Sequence, residues 1–427
     1  MNCAKMLEYI KSGALDERLF EIYPTSDVKV VRERYAGAVN EFATLYGEAR
    51  EVSLFSVPGR TELSGNHTDH NRGAVIAASV NLDIIAVVSP RDDSRINVKS
   101  EGFDSDSVDI SAYVTPDASL YGSSASIIAG VCDGFKKAGY ATGGFDAYMT
   151  SNVPGGSGLS SSAAFENMIG TVLSHAYNGG NIASVEIAKI SQYAENVFFG
   201  KPCGLMDQVA SAVGGIVAID FEDPCAPIVE PIDFDIAGAG YALCIINTGG
   251  SHADLTDEYA AIPTEMKAAA SALGADVLRG TTESALISAI PELRDRIGDR
   301  AILRALHFFE ENRRVAAQKQ ALKSSDLDGF LALMRESGRS SFCYLQNVYT
   351  TKAPNEQGVS LALCLSDILL KDKRAAWRVH GGGFAGTIQA LLPTSDADTF
   401  KTKMDTALGD DMTMILAIRA LGAVKVI

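Results

Sequence analysis

The sequence predicts an α/β (α+β) protein built as two lobes. Three observations carry that reading. The chain has 427 residues, more than one average domain needs and enough for two separate cores. Short β-prone runs alternate with helical stretches throughout. A proline-rich connection at Pro224, Pro227 and Pro231 divides the chain, so the lobes are placed at residues 1–225 and 226–427.

Taken in order, residues 1–50 read as helices with a break at 23–27 that supplies a cap. Residues 52–57 are β-prone and stop at Pro58-Gly59, and the Val/Ile-rich run 73–88 reads as a buried strand pair. A strand pattern returns at 145–150. Two core-facing helices come next, one after the glycine-rich segment at 154–164 and one over 184–198, where Ile187, Ile190, Ala194 and Val197 share a face. Runs 215–221 and 241–247 read as strands, 255–375 as mostly helical, and 377–392 as strand, glycine turn, strand. A last helix and a terminal strand at 423–427 complete the pattern.

Composition narrows the function. A net charge of −16 argues against nucleic-acid binding, which needs basic surface to displace counterions. No run approaches the roughly 18 apolar residues of a membrane span, and the first twenty residues lack the apolar core of a signal peptide, so a cytoplasmic location is expected. The seven cysteines stand singly with no C-x-x-C pair, as reduced thiols do, and indicate no zinc or iron–sulfur site.

Four segments carry chemistry. In Pro154-Gly155-Gly156-Ser157-Gly158-Leu159-Ser160-Ser161-Ser162-Ala163-Ala164 the glycines let successive N–H groups converge, and the segment opens a helix through Phe165, Met168, Ile169 and Val172. It reads as a phosphate cradle. A Gly/Ser linker has the same composition but would not lead into an apolar-periodic helix. No G-x-x-x-x-G-K-[ST] occurs, so phosphates would be held by amides, hydroxyls and a metal. The segment 58–73, PGRTELSGNHTDHNRG, crowds Asn66, His67, Asp69 and His70 into one loop, a density of donors and acceptors suited to a sugar's hydroxyls; a polar turn or a metal site at His67, Asp69 and His70 are the alternatives. The third segment, HGGGFAG at 380–386, matches G-x-G-x-x-G, but residues 387–392 are too few and too β-like before Pro393 for a helix, which favours a tight turn between strands over a dinucleotide site. In the fourth, Asp207 lies among Leu205, Met206, Val209 and Ala210, where a carboxylate either caps locally or is kept for function.

Together these segments resemble the galactokinase branch of the GHMP sugar and metabolite kinases. VPGRTELSGNHTDHNRG is similar to that family's sugar signature, VPGGSGLSSSAA to its phosphate loop, FFGKPCGLMDQ to its catalytic-Asp segment and HGGGFAG to its C-terminal glycine motif, in the family's order over about residues 45–425. The resemblance implies a two-lobed GHMP-kinase-like architecture with mixed sheets, an active site between the lobes, and ATP-dependent phosphorylation of the anomeric hydroxyl of a monosaccharide, with Mg²⁺ as the metal. It implies Asp207 and Arg60 as the catalytic pair, Ser162 (or Ser161) and Glu195 as magnesium ligands, Pro154 to Ser162 as the nucleotide loop, and His67, Asp69 and Tyr259 as sugar contacts. Asn66 stands where galactokinases carry Glu, which implies a shifted contact at the sugar's primary hydroxyl. Galactose is the expected acceptor, with galacturonate, N-acetylgalactosamine or arabinose as alternatives, and a non-catalytic sugar and ATP sensor as the reading from another class.

Overall fold

The computed structural model describes every residue except Thr25, 112–114, Gly156 and 251–254, and the side chain of Thr256. Two mixed or antiparallel sheets frame it. The larger holds β1 (Ser53–Ser64), β2 (Ala74–Pro90), β3 (Arg95–Ser100), β4 (Ser105–Asp109), β5 (Phe145–Ser151), β6 (Ile216–Asp220) and β7 (Ile228–Ile232). The smaller is antiparallel, in the order β11 (Thr413–Leu416), β8 (Tyr241–Asn247), β10 (Thr387–Pro393), β9 (Ala376–His380). A short β12 (Val424–Lys425) then returns to the larger sheet and pairs with β1. Among the described residues only β3 and β5 run parallel.

β1 and β2 form the spine, and both differ from the sequence expectation. The strand expected over 52–57 runs on through Pro58-Gly59 to Ser64, because register shifts at Pro58/Arg60 and Glu62/Ser64 absorb the missing proline N–H as bulges. The run read as a strand pair over 73–88 is one 17-residue strand that changes partner midway. Ala74–Ala78 pair with β6, and Ile84–Pro90 with β5. At the changeover Asn81 Oδ1 accepts from the Ala417 amide at 3.0 Å, and Asp83 enters a buried ion cluster, so polar residues there satisfy edges instead of making a turn.

Alternation along the spine sorts two cores. Leu54, Ile85 and Val87 face Tyr35 and Phe42 of three amino-terminal helices, Cys3–Lys11, Asp16–Ile22 and Val28–Tyr46. Phe55, Val57, Ala86 and Val88 face helices Ser124–Lys137 and Ser161–Tyr177 on the other side. The expected helix over 184–198 is regular for Ser184–Tyr193 and widens to π geometry over Ala194–Phe199, a distortion common at functional sites. The helical region after 255 includes Asp299–Lys323, Leu327–Ser340 and Gly358–Leu370, which pack on the smaller sheet and on the loop after β1. β11 is an element that sequence pattern did not indicate, being only four residues long with mixed burial.

The buried cluster around Asp83 ties both ends of the chain to the spine. Its carboxylate meets Arg34 at 2.5 Å and Arg419 at 3.1 Å, and also accepts from Tyr23 and Ser56. Burial pushes the carboxyl upward, but the two guanidiniums outweigh it and hold Asp83 below the usual aspartate value. A depressed native pKa contributes stability above the unfolded value and loses it as pH falls through the native one. Asp83→Asn leaves Arg419 buried without its counter-charge and is expected to cost about 3–5 kcal/mol in urea unfolding at neutral pH. The gap to wild type stays constant above about pH 4 and narrows below it. A loss under about 1 kcal/mol, or no narrowing in acid, would contradict this account.

Candidate active site

The glycine-rich segment at 154–164 leads from β5 into helix Ser161–Tyr177, and its carbonyls are held by the protein. The Leu159 carbonyl accepts from the Arg60 amide at 2.9 Å, the Gly158 carbonyl from the Arg60 guanidinium, and the Ser157 carbonyl from Thr387 Oγ1 at 3.3 Å. Leu159 is buried in the core and anchors the loop. With carbonyls so engaged, the loop keeps its amides, and the first turn of a 17-residue helix, for an anion. Ser160 adopts a left-handed conformation (φ +56°) just before that helix, a strain typical of ligand loops. Beside the loop lies a cavity of about 540 Å³ lined by Gly155, Ser161, Ser162 and Glu166 at one end and by Ile127, Met149, Val153, Phe165 and Phe199 along its walls. Phe103, among the most exposed apolar residues, also lines it. Pro154 and Gly155 are exposed, and Gly156 lies outside the described residues.

Arg60 and Asp207 meet as the sequence led us to expect. The β1 bulge delivers Arg60, and the first turn of helix Met206–Val213 delivers Asp207. The Arg60 Nε donates to Asp207 Oδ1 at 2.6 Å, Nη2 donates to Oδ2, and Ser160 Oγ donates to Oδ2 at 2.8 Å. Burial alone would raise the Asp207 carboxyl, but the Arg60 guanidinium and the hydroxyl of Ser160 hold it below the ordinary aspartate range. It is therefore ionised at neutral pH. Oδ2 has both its acceptor positions used, and Oδ1 keeps one free.

The loop after β1 sits under the glycine turn between β9 and β10. His67, left-handed at φ +59°, donates from Nε2 to the Gly382 carbonyl at 3.0 Å. Burial and neighbouring His70 push its pKa down to about 4, so it is neutral. Asp69 packs against Gly204, where a Cβ would collide with its carboxylate. Tyr259 donates to the Gly383 carbonyl at 2.7 Å and lies flat enough on Gly382 that a side chain there would strike its ring. His67 and Tyr259 are thus brought together around one turn, while Asp69 faces Gly204, three residues before Asp207. No group of three His, Cys, Asp or Glu able to hold a metal occurs among the described residues, so the metal alternative at His67, Asp69 and His70 finds no support.

Asn66 departs from expectation. The resemblance placed it at a sugar hydroxyl, but it is fully buried and its amide is consumed by protein. Its Nδ2 donates to Glu62 Oε1 at 3.2 Å and to the Gly381 carbonyl at 2.7 Å, while Oδ1 accepts from Asn347 at 2.8 Å and Ser341 at 3.2 Å. Four partners exhaust its capacity. A carboxylate stands four residues earlier, at Glu62, ion-paired at 2.6 Å with the buried Arg378. His307 Nε2 fixes the Asn66 carbonyl at 2.9 Å from helix Asp299–Lys323.

Several participants escaped the sequence reading. His380 bridges Thr61 (3.1 Å) and Thr387 (2.9 Å), and Thr387 in turn reaches the phosphate loop, so one neutral imidazole couples β1, β10 and that loop. Burial and the flanking Arg60 and Arg378 depress its pKa strongly. Gln208, next to Asp207, donates from Nε2 to both Glu195 Oε2 (2.9 Å) and Glu166 Oε2 (3.0 Å). Burial and the facing Glu195 raise Glu166 well above the ordinary glutamate value. Glu195 itself also accepts from Lys201 Nζ at 3.2 Å. Ser162, exposed to the cavity, lies one helical turn before Glu166, a spacing that the sequence already contained.

Comparison with known proteins gives the family. The model of the GHMP kinases N terminal domain matches residues 126–215, and that of the galactokinase galactose-binding signature matches 40–90. Galactokinase from Streptomyces coelicolor is 31% identical over 88% of this chain and 93% of its own length. Human galactokinase is 32% identical over 92% of this chain and 97% of its own. The crystal structure of Lactococcus lactis galactokinase complexed with galactose superposes with a TM-score of 0.75 at 25% identity, covering 90% of this chain and 98% of that one. A mevalonate kinase shares the fold at 14% identity and a TM-score of 0.60. The chain belongs to the galactokinase family of the GHMP kinases.

Because Asn66 is framework, Asn66→Glu is expected to place a second carboxylate against Glu62 in a sealed pocket. Unfolding free energy should fall by about 2 kcal/mol or more, read by denaturant titration, and any change in sugar preference should be no larger than the general loss of activity. A stable Asn66→Glu protein with an altered order of sugar substrates would return Asn66 to the sugar.

Proposed function

We propose that this chain transfers the γ-phosphoryl group of ATP to the anomeric hydroxyl of galactose, giving galactose 1-phosphate and ADP. The observation that carries the reading is the Arg60–Asp207 pair, which is bonded directly to the glycine-rich loop through Gly158 and Ser160. In this reading the ATP phosphates lie on the amides of Gly155 and 157–160, the base enters the apolar part of the 540 Å³ cavity, and the sugar lies over the glycine turn.

The sugar hydroxyl donates to the free acceptor position of Asp207 Oδ1. As the bond from the sugar oxygen to γ-phosphorus forms and the bond from γ-phosphorus to the β-phosphate oxygen breaks, ADP leaves with that electron pair and the hydroxyl proton passes to Asp207 Oδ1. A carboxylate held at low pKa is a weak base, so it takes the proton late, once bonding to phosphorus has made the hydroxyl acidic; a loose phosphoryl transition state asks for little more. Arg60 keeps the carboxylate charged and adds positive charge near the transferred group. Neutral His67, fixed through Gly382, offers its Nδ1 as an acceptor toward the sugar side.

The donor chemistry suits a magnesium ion. A buried carboxylate oxygen, Glu166 Oε1, has no hydrogen-bond partner, and two carboxylates share one amide beside the phosphate loop. Ser162 and Glu195 would hold the ion, with hard oxygen donors. When bound, magnesium neutralises charge on the β- and γ-phosphates. Residues 1–225 then form one wall of the cleft and 226–427 the other, with β7 and β12 pairing in the first wall's sheet. A cytoplasmic location belongs to the same reading: all seven cysteines are free thiols, and no described helix is long and apolar enough to cross a membrane.

ADP release with Mg-ATP across galactose, N-acetylgalactosamine, galacturonate, arabinose and glucose tests the reading. Galactose is expected to show the highest kcat/KM, and absence of turnover with every sugar would overturn the enzyme reading in favour of a sensor. Asp207→Asn is expected to lower kcat by about 10²–10⁴-fold, while the affinity for a non-hydrolysable ATP analogue, measured by calorimetry, stays within about threefold. An Asp207→Asn enzyme with near wild-type kcat would remove Asp207 from the chemistry.

A further inference from the structure

Glu166 is buried at the cavity end nearest the phosphate loop, and it is placed oddly for a structural residue. Its Oε2 accepts from Gln208 Nε2, but Oε1 is sealed from bulk solvent without any partner in the protein. Leaving one oxygen of a buried carboxylate unsatisfied costs free energy that folding alone gives no reason to spend. Glu195 differs: Lys201 takes its Oε1 and Gln208 its Oε2. The residue expected to bind metal has both oxygens engaged, and the free oxygen belongs to its neighbour. Glu166 also comes four residues after Ser162 on the same helix, so both side chains project from one face, and both line the cavity.

We propose that Glu166 supplies a second carboxylate to the divalent cation that accompanies ATP, binding it through Oε1 directly or through one water, while Gln208 holds Glu166 and Glu195 at a common separation. This rests on the reading of the chain as a magnesium-dependent kinase. Three protein oxygen donors, from Ser162, Glu166 and Glu195, suit a hard cation of the Mg²⁺ or Mn²⁺ class, with phosphate oxygens and water filling the remaining positions. Gln208 is then a positioning residue. Its own Oε1 is buried and unpartnered, which leaves it as an acceptor for a metal-bound water.

The test is Mn²⁺ binding to the full-length protein in the presence of a non-hydrolysable ATP analogue, monitored by electron paramagnetic resonance. Glu166→Gln keeps shape and removes charge. It should weaken Mn²⁺ binding at least tenfold while leaving affinity for the metal-free analogue within about twofold and thermal stability undiminished. Wild-type Mn²⁺ affinity in a folded Glu166→Gln protein overturns the proposal. If the wild-type protein binds Mn²⁺ no better than the analogue does alone, the magnesium reading itself fails, a result separable from the first. Should Glu166→Gln not fold, a crystal structure of the wild-type protein with Mn²⁺ and the analogue decides: a Mn²⁺ peak at ligand distance, or one water removed, from Glu166 Oε1 supports the proposal, and a peak beyond about 5 Å from both its oxygens rejects it.

Discussion

The site depends on one requirement: the Asp207 carboxylate has to remain charged in a cleft whose walls would otherwise neutralise it. Arg60 meets that requirement with a two-pronged contact, and most of the surrounding architecture serves to hold the guanidinium in place. The bulge in β1 aims it. The same guanidinium binds the Gly158 carbonyl, so the group that keeps Asp207 ionised also fixes the curvature of the phosphate loop. A single side chain thus couples Asp207 to the glycine-rich loop.

Around this pair the protein uses histidines as neutral, fixed-tautomer struts. His67, His307 and His380 are all pushed below the ordinary imidazole value, chiefly by burial, and each links two separate segments. None of them carries charge in the range where the cell operates, so the frame beneath the glycine turn does not respond to modest changes of pH. Its cations are arginines instead. Arg378 and Arg314 face the buried Glu62 and Glu311, whose carboxylates would be too costly to bury alone.

What could be read from the sequence divides along the range of the interactions. Local features were legible: the helix after the glycine loop, strands at 145–150 and 241–247, and the strand pair around HGGGFAG are all encoded by composition within a dozen residues. Arg60, Asp207, His67, Asp69 and Tyr259 could be grouped only through resemblance, since they are spread from position 60 to position 259 and nothing local links them. The role of Asn66 was not legible, because a buried amide with four protein partners and a sugar-binding amide look alike in a motif. The long β2 was misjudged for a related reason. Asn81 and Asp83 have turn chemistry, and only the distant Arg34, Ala417 and Arg419 show why a strand tolerates them.

The cluster at Asp83 has a consequence for how the molecule is made. β12 pairs Lys425 with Phe55, and Arg419 adds a second guanidinium to a carboxylate on a strand laid down more than three hundred residues earlier. During synthesis the larger sheet therefore waits with an unpaired β1 edge, and with Asp83 paired to Arg34 alone, until residues 419–427 emerge. Such long-range closure is slow and leaves an adhesive edge exposed in the interim. The nascent chain is thus most vulnerable to aggregation late in translation, when nearly all of the active site has already been synthesised.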